Sequence, residues 1–551
     1  MKLNLKHTLF ILLAGWSFSF SNAQITERQL PDGWENLVKG TRFVDRFMPM
    51  KGEKQSVGIW GADGVSKRFV DNGIEDDHWS YWGGNILKDE KDGLYHLFVC
   101  GWPEASDKGH MEWPNSYVFH AVSNSLHGPY RTKHLIGKGH NPEVYKTPNG
   151  HYILYVIDGY YEANDLNGPW SYKKFEFDPR DRRIIEGLSN LTFAEREDGS
   201  RLMICRGGGV WISRDGEAKY EQISDRSSYP PVEGEFEDPV VWRDSVQYNL
   251  IVNDWLGRIA YYLRSKDGLH WITEPGEAYV PGIAFHADGT REEWFKYERL
   301  KIFQDEFGRA IQANFAVIDT IKWEDKGCDG HGSKNITIPL NPGLRMQILN
   351  EKPITGKTKE VSVRILKEEG GNLAEEIDVE SLRLGDPMQV NYGKGGLFKR
   401  MVKEENGDVI LVFDARSIVR TQGEFAMKLT GRYKGGDQLF AYACLPEFDK
   451  PTPMLSCRKP HFDWQSDKTT CSVEVSNFGI VASEGSEISI YHLDKEKESC
   501  VAHASCEALA PYAKCVVTLS LSDKKISKGD AVKVVVKDRR GYTEEFQTTA
   551  D

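Results

Sequence analysis

Gly234-Glu235-Phe236-Glu237-Asp238-Pro239-Val240-Val241-Trp242-Arg243-Asp244, continued by Tyr248-Asn249-Leu250-Ile251-Val252-Asn253-Asp254, is the stretch whose reading decides the fold. Two carboxylates and a proline stand directly ahead of a β-branched, aromatic run. A turn separates that run from a second alternating one. The pattern predicts an acid-tipped strand leading into a hairpin. Four other segments repeat the plan. Gly83-Gly84-Asn85-Ile86-Leu87-Lys88 turns at Asp92-Gly93 into Leu94 to Val99, and His140-Asn141-Pro142-Glu143-Val144-Tyr145-Lys146 turns at Asn149-Gly150 into His151 to Val156. Ser189-Asn190-Leu191-Thr192-Phe193 turns at Asp198-Gly199, and Glu298-Arg299-Leu300-Lys301-Ile302-Phe303 turns near Gly308. Aligned on Asn85, Asn141, Asn190, Asp238 and Arg299, the segments lie 56, 49, 48 and 61 residues apart. A period near 50 that holds three or four short strands is the spacing of a propeller blade. Five blades are expected, from about 40 to 350.

Beyond about residue 360 the texture changes to shorter strands, among them Val409 to Asp414 and Gln438 to Ala443. From Cys471 a second alternating series begins, including Glu487 to Tyr491 and Ala531 to Val536. Strands at this spacing predict a β-sandwich. The fold class expected is therefore all-β: a five-bladed β-propeller followed by β-sandwich modules. The expected division is a targeting segment over 1–23, the propeller over 24–360, a β-rich accessory module over 361–458 and an immunoglobulin-like sandwich over 459–551.

A chain of 551 residues exceeds one ordinary core, so several domains are expected. Lys2 and Lys6 precede an apolar run from Leu9 to Phe20, and Ser21-Asn22-Ala23 has the small residues of a cleavage site. The mature chain is expected to begin near Gln24 and to be exported, periplasmic or secreted. No later run reaches the length of a membrane span. A net charge of −12 argues against nucleic acid as a partner. Six of the nine cysteines crowd into the last fifth; export permits disulfides, six cysteines allow fifteen pairings, and an odd total leaves a thiol over. With no CxxC pair, structural zinc is not expected.

A propeller brings the leading ends of its inner strands to one mouth. The acids there are Asp76, Asp77, Glu143, Glu186, Glu237, Asp238 and Glu298. Several carboxylates among aromatics (15 Trp, 23 Tyr and 25 Phe in all) suit glycoside hydrolysis, in which one acid protonates the leaving oxygen and another drives water or attacks the sugar. Asp77 is expected as base and Glu237 as acid, with Asp238 setting its pKa and orientation. Trp79, Trp82, His140, Asn141, Glu143, Glu186, Glu298 and Arg299 are expected to line the sugar site, Arg299 suiting a carboxylate or sulfate. Each has a structural alternative: strand caps for Glu237 and Asp238, a solvated loop for Asp77, core packing for Trp79, Trp82 and His140, an outward-facing strand position for Glu143, and an ion pair for Glu298 with Arg299.

On these residues the chain resembles the five-bladed propeller glycoside hydrolases, the superfamily of families 43, 32, 68 and 117. Asn141-Pro142 and Asp238-Pro239 stand where such enzymes carry Asp-Pro, and Glu186-Gly187 stands where family 43 carries Glu-Gly-Pro. Gly84-Asn85, Asn141 and Leu188 depart from that pattern. Val475-Ser476-Asn477-Phe478-Gly479 is similar to CARDB-type sandwich modules. The resemblance implies an exo-acting hydrolase of oligosaccharides from plant or algal polysaccharide, working without an organic cofactor; a structural or axial metal ion stays open. Two alternatives remain: a non-catalytic glycan-binding propeller, and a glycoside phosphorylase of the same fold.

Overall fold

The computed structural model describes residues 27–56, 58, 65–217, 219–327, 332–368, 371–465, 469–494, 497–521 and 526–551. The expected targeting segment, Cys328 and His331 lie outside the described residues. The chain is an all-β, multidomain protein.

Five consecutive antiparallel sheets come first. Sheet I runs from Trp79–Lys88 to Arg131–Lys138, sheet II from Glu143–Lys146 to Ser171–Lys173, and sheet III from Thr192–Glu195 to Lys219–Gln222. Sheet IV runs from Phe236–Arg243 to Trp271–Tyr279, and sheet V from Lys296–Gln304 to Ser333–Pro339. Within each sheet the strands pair in sequence order, as a meander should. Sheet III adds Glu176–Asp178 in parallel on its outer edge.

The second strands explain how the sheets stack. Tyr248–Asp254 is buried throughout, and its side chains divide by alternation. Leu250 and Val252 pack with Leu202, Ile204 and Val210 of sheet III, whereas Ile251 packs with Phe315 and Val317 of sheet V. Ile153 and Tyr155 of sheet II likewise face Phe193 and Trp211 of sheet III, while Leu154 and Val156 face Phe98 and Val118 of sheet I. Ala316 and Ile318 of sheet V meet Trp82, Cys100 and Trp102 of sheet I. A strand buried on both faces reads as an unbroken apolar run, and these runs order the sheets cyclically from I to V and back to I.

The N-terminal segment bridges the last sheet to the first. Met48 N donates to Pro339 O at 2.9 Å and Ile74 N to Asn335 O at 3.1 Å, along the otherwise open edge of Ser333–Pro339. Asn72 adds reciprocal bonds to Thr337, and Asn335 Nδ2 donates to Gly83 O of sheet I at 3.0 Å. Covering this edge removes a pairing liability.

A seven-stranded closed barrel follows, sealed by parallel pairing of Leu344–Ile348 with Gln438–Cys444. It takes in Leu344–Ile348, ahead of the boundary expected at 361. The last unit is a sandwich of two four-stranded sheets beginning with Leu455–Cys457, ahead of the boundary expected at 459. The eight described cysteines are free thiols, and Cys457, Cys471 and Cys506 are packed in the sandwich core.

Buried charges join these units to the sheets. Arg264 of sheet IV pairs with Glu274 at 2.7 Å and with Glu424 of the barrel at 2.7 Å. Lys428 of the barrel pairs with the same Glu274. Burial lowers Lys428 to about 8 although Glu274 opposes the shift. Arg182 reaches Glu544 of the sandwich at 2.7 Å.

Candidate functional site

The first strands meet through three layers of side chains, one from each repeat position. Their geometry starts at a break in pairing register. The ladder shifts between Trp82 and Asn85, between Glu237 and Val240, and between Glu298 and Lys301. At each break the residue after the leading one is left-handed (Gly84, next in the first break, also has a positive φ of 110°), and the same holds just ahead of the first strands of sheets II and III. The five are Gly83 (φ 57°), Asn141 (56°), Asn190 (50°), Asp238 (56°) and Arg299 (50°). The repeat is therefore aligned on Gly83 rather than on Asn85, a correction of two residues. Asn85 instead occupies the next layer down.

The left-handed layer is buried and internally bonded. Asn141 Nδ2 donates to Asn190 Oδ1 at 3.0 Å, and Asn190 Nδ2 donates to Asp238 Oδ1 at 3.0 Å. Asp238 Oδ1 also accepts from Arg299 Nη1 at 2.7 Å, and Oδ2 accepts from Arg299 N at 3.2 Å. Both side chains of the Asp238–Arg299 pair are 2% exposed. Arg299 is thus paired with Asp238 through Nη1, while its Nε and Nη2 are buried without a hydrogen-bond partner.

Beneath lie Asn85, Glu143, Thr192, Val240 and Lys301. Glu143 Oε1 accepts from Phe193 N at 2.9 Å, and Oε2 takes the Lys301 ammonium from sheet V, across the centre of the array. With both oxygens engaged and 6% of the residue exposed, Glu143 holds the array together instead of lining a sugar site.

Above the left-handed layer are the five leading residues: Trp82, His140, Ser189, Glu237 and Glu298. Glu237 Oε1 accepts from Asn190 Nδ2 at 2.9 Å and lies 3.6 Å from Arg206 Nε, with 20% of the side chain exposed. Burial, and then the neighbouring Asp238 charge, push its carboxyl up from the ordinary range. Glu298 is its opposite. Burial works against its charge, but the ammoniums of Lys296, at 2.7 Å, and Lys322 outweigh it and hold the carboxyl at about 2. Lys322 stands 5.2 Å from the Trp82 ring centre and 5.8 Å from that of Trp255, and Lys296 is 4.7 Å from Trp255.

His140 closes the other side, its ring against Trp113 and Trp102. Burial, then Arg299 and Lys322, keep this imidazole well below its usual pKa and so neutral. Its tautomer follows from its neighbours. Ser116 Oγ donates to Trp113 O at 2.5 Å and Cys100 Sγ donates to Trp82 O at 2.9 Å. Both therefore face His140 Nδ1 as acceptors, at 2.9 and 3.5 Å. These contacts favour the tautomer with its proton on Nδ1, in which Nε2 is a lone-pair acceptor.

Of the residues expected from sequence, Trp82, His140, Glu237 and Glu298 share the leading layer, with Asn141, Asp238 and Arg299 directly behind it. Glu186 is exposed at φ 50°, on the segment that approaches Tyr229 and Gly207. Trp79 packs on Tyr117 and Phe119 within sheet I. Asp77 is exposed on the approach to sheet I, next to Asp76, whose carboxylate accepts from the Tyr81 hydroxyl and the Trp79 and His78 amides. Among the described residues no hydrogen bond or ion pair joins Asp77 to Glu237 or Glu298.

Arg206, Lys296 and Lys322 were not singled out by the sequence. Strand alternation places Lys296 on the side of Glu298, a signal that was available. Lys322 comes from the loop between the second and third strands of sheet V, Ala310–Ile318 and Ser333–Pro339, which has no pattern to read.

Two other features lie away from these layers. Asp89, Asp92 and His96 bring ligand atoms within 4.8 Å of one another, but His96 is already bonded to Asp92 at 3.2 Å and to His120 at 2.8 Å. That chain accounts for the cluster without an ion. A cavity of about 260 Å³ between sheets IV and V and the barrel is lined by Tyr262, Phe440 and Tyr442. The Arg46 guanidinium already covers the ring faces, 4.1 Å from Phe440 and 5.2 Å from Tyr262.

No protein-family model and no curated protein matches the chain. Solved structures similar to it include the GH43 BlXynB protein from Bacillus licheniformis, at 11% identity and a TM-score of 0.33, with 86% of this chain and 83% of that one covered. An α-L-arabinofuranosidase from Lactobacillus brevis matches at 10% identity and a TM-score of 0.34, covering 48% and 91%. β-Glucosidase 3B from Thermotoga neapolitana, in complex with glucose, matches at 15% identity and 0.14, covering 18% and 16%. Likeness at these scores carries neither fold nor activity across.

Proposed function

We propose that the five sheets are the blades of a five-bladed β-propeller and that the chain is an exported glycoside hydrolase acting on oligosaccharides from plant or algal polysaccharide. One observation carries the reading. Equivalent positions of neighbouring sheets hold two glutamates whose surroundings push their ionisation in opposite directions, within a site walled by Trp82, Trp255 and Trp113. Carboxyl groups separated in this way are what acid-assisted glycoside cleavage requires.

In this reading Glu237, whose carboxyl is raised by burial and by the Asp238 charge, delivers a proton to the leaving oxygen. His140 Nε2, in the same layer with one sheet between them, is the acceptor for the proton of the attacking water; Asp77 is the alternative, from the exposed approach. Glu298 remains ionised and fixes Lys322 over Trp82. The test is incubation of the purified chain with neutral and acidic plant and algal oligosaccharides, with new reducing ends followed by mass spectrometry. Time-dependent release supports hydrolysis. Saturable binding without release on every member of the panel supports a non-catalytic glycan-binding propeller instead.

A further inference from the structure

The leading layer carries more positive charge than acid catalysis on a neutral sugar needs. Asp238 cancels Arg299 and Glu143 cancels Lys301, both in buried pairs. Three cations remain, Lys296, Lys322 and Arg206, facing Glu298 and Glu237. Arg206 is the least occupied of them. Its side chain is 35% exposed, and its one acidic neighbour is Glu237 Oε1, 3.6 Å from Nε and beyond hydrogen-bond range. Its Nε is buried without a hydrogen-bond partner, and no side-chain hydrogen bond of Arg206 is found among the described residues. Lys322 is bonded to Glu298 and stacked over Trp82, which leaves donors of its ammonium for a ligand.

These cations also have a cost. Lys322 and Arg206 both favour ionised Glu237 and so oppose the proton it must carry. A site for neutral sugars would do better with neutral donors there. The same cations become useful when the substrate brings a negative charge of its own, since guanidinium and ammonium are the usual partners of carboxylate and sulfate.

Resting on the glycosidase reading above, we propose that this site selects a sugar carrying an oxyanion, a uronate carboxylate or a sulfate ester, and that Arg206 and Lys322 are the pair that recognises it. Arg206 is here a specificity-determining residue and takes no part in proton transfer.

The experiment is calorimetric titration of the full chain with D-glucuronic acid, D-galactose 6-sulfate, D-glucose, D-galactose and inorganic phosphate, at low and high sodium chloride, in wild type and Arg206→Ala. At least one charged sugar should bind about tenfold or more tightly than its neutral parent, the equivalent of one charge-assisted hydrogen bond. That preference should fall towards unity in Arg206→Ala and shrink at high salt. The better of the two charged sugars identifies the carboxylate or the sulfate as the natural group. Equal binding of charged and neutral sugars overturns this inference and leaves the glycosidase reading standing. Absence of binding by every sugar also overturns this inference, and the glycosidase reading then stands or falls on product release from the oligosaccharide panel. Phosphate that binds more tightly than either charged sugar and competes with it also overturns the inference, because the cations then serve a phosphorolytic co-substrate. If Arg206→Ala does not fold, the wild-type preference and its salt dependence decide alone.

Discussion

Replacing Asp238 by Asn probes the layer on which the site is built. Asn keeps the shape and accepts the left-handed backbone at φ 56°, so backbone strain does not change. Electrostatics do. Arg299, 2% exposed and bonded to Asp238 at 2.7 Å, is left as a buried guanidinium with its counter-charge gone. The new amide also turns an N–H towards one of three donors: Arg299 N, Arg299 Nη1 or Asn190 Nδ2. Breaking a buried pair on one side costs about 3–5 kcal/mol. For a unit of this size that corresponds to a fall in Tm of roughly 6–20 °C, read by calorimetry. The same change should move Glu237. Its carboxyl is raised by burial and then by the Asp238 charge, so Asp238→Asn lowers its pKa, and the alkaline limb of the pH–rate profile should shift to lower pH. A Tm within about 2 °C of wild type, with an unmoved alkaline limb, would refute the buried pair and its hold on Glu237 together.

Other consequences are as specific. Gly83→Asn should be tolerated and Gly84→Ala should not: a Cβ at Gly83 meets Arg299 Cβ at 3.6 Å and Asn141 Oδ1 at 3.7 Å, whereas one at Gly84 would lie 2.1 Å from Phe98 O. Thermal melts of the two variants check the alignment of sheet I with the others. Glu298 is depressed from 4.5 to about 2, so it contributes stability above pH 4.5 that is lost as pH falls towards 2; Glu298→Gln should flatten the wild-type loss of Tm in that window. Glu274→Gln leaves Arg264 and Lys428 facing each other across the barrel contact. It should lower the Tm by several degrees and speed proteolysis between the sheets and the barrel, followed by gel electrophoresis.

How much was legible in the sequence depends on the distance over which each feature is decided. Turns such as Asp92-Gly93 and Asn149-Gly150, with alternating runs on either side, are local and give the repeat. Aligning sheet I on Asn85 failed because Gly83 carries no side chain to mark the left-handed position that Asn141, Asn190, Asp238 and Arg299 mark with polar ones. The acids of the leading layer stood out by position, but their roles did not. Asp238 and Arg299 are 61 residues apart and Glu143 and Lys301 are 158 apart, and those partnerships decide which carboxylates are neutralised. Closure of the barrel is equally non-local, since Leu344 pairs with Ala441. Lys322, which governs both glutamates, sits in a loop whose composition carries no signal for it.

The central claim is that Glu237 gives its proton to a departing sugar oxygen, and Glu237→Gln tests it most directly. Gln can still accept from Asn190 Nδ2, and Arg206 loses only a partly exposed contact, so folding should be preserved. On an oligosaccharide that the wild type cleaves, kcat/KM should fall about 10²–10⁴-fold. On an aryl glycoside of the same sugar, whose leaving group departs without a proton, the fall should be much smaller. Equal losses on both substrates, or undiminished cleavage of the oligosaccharide, would contradict the account.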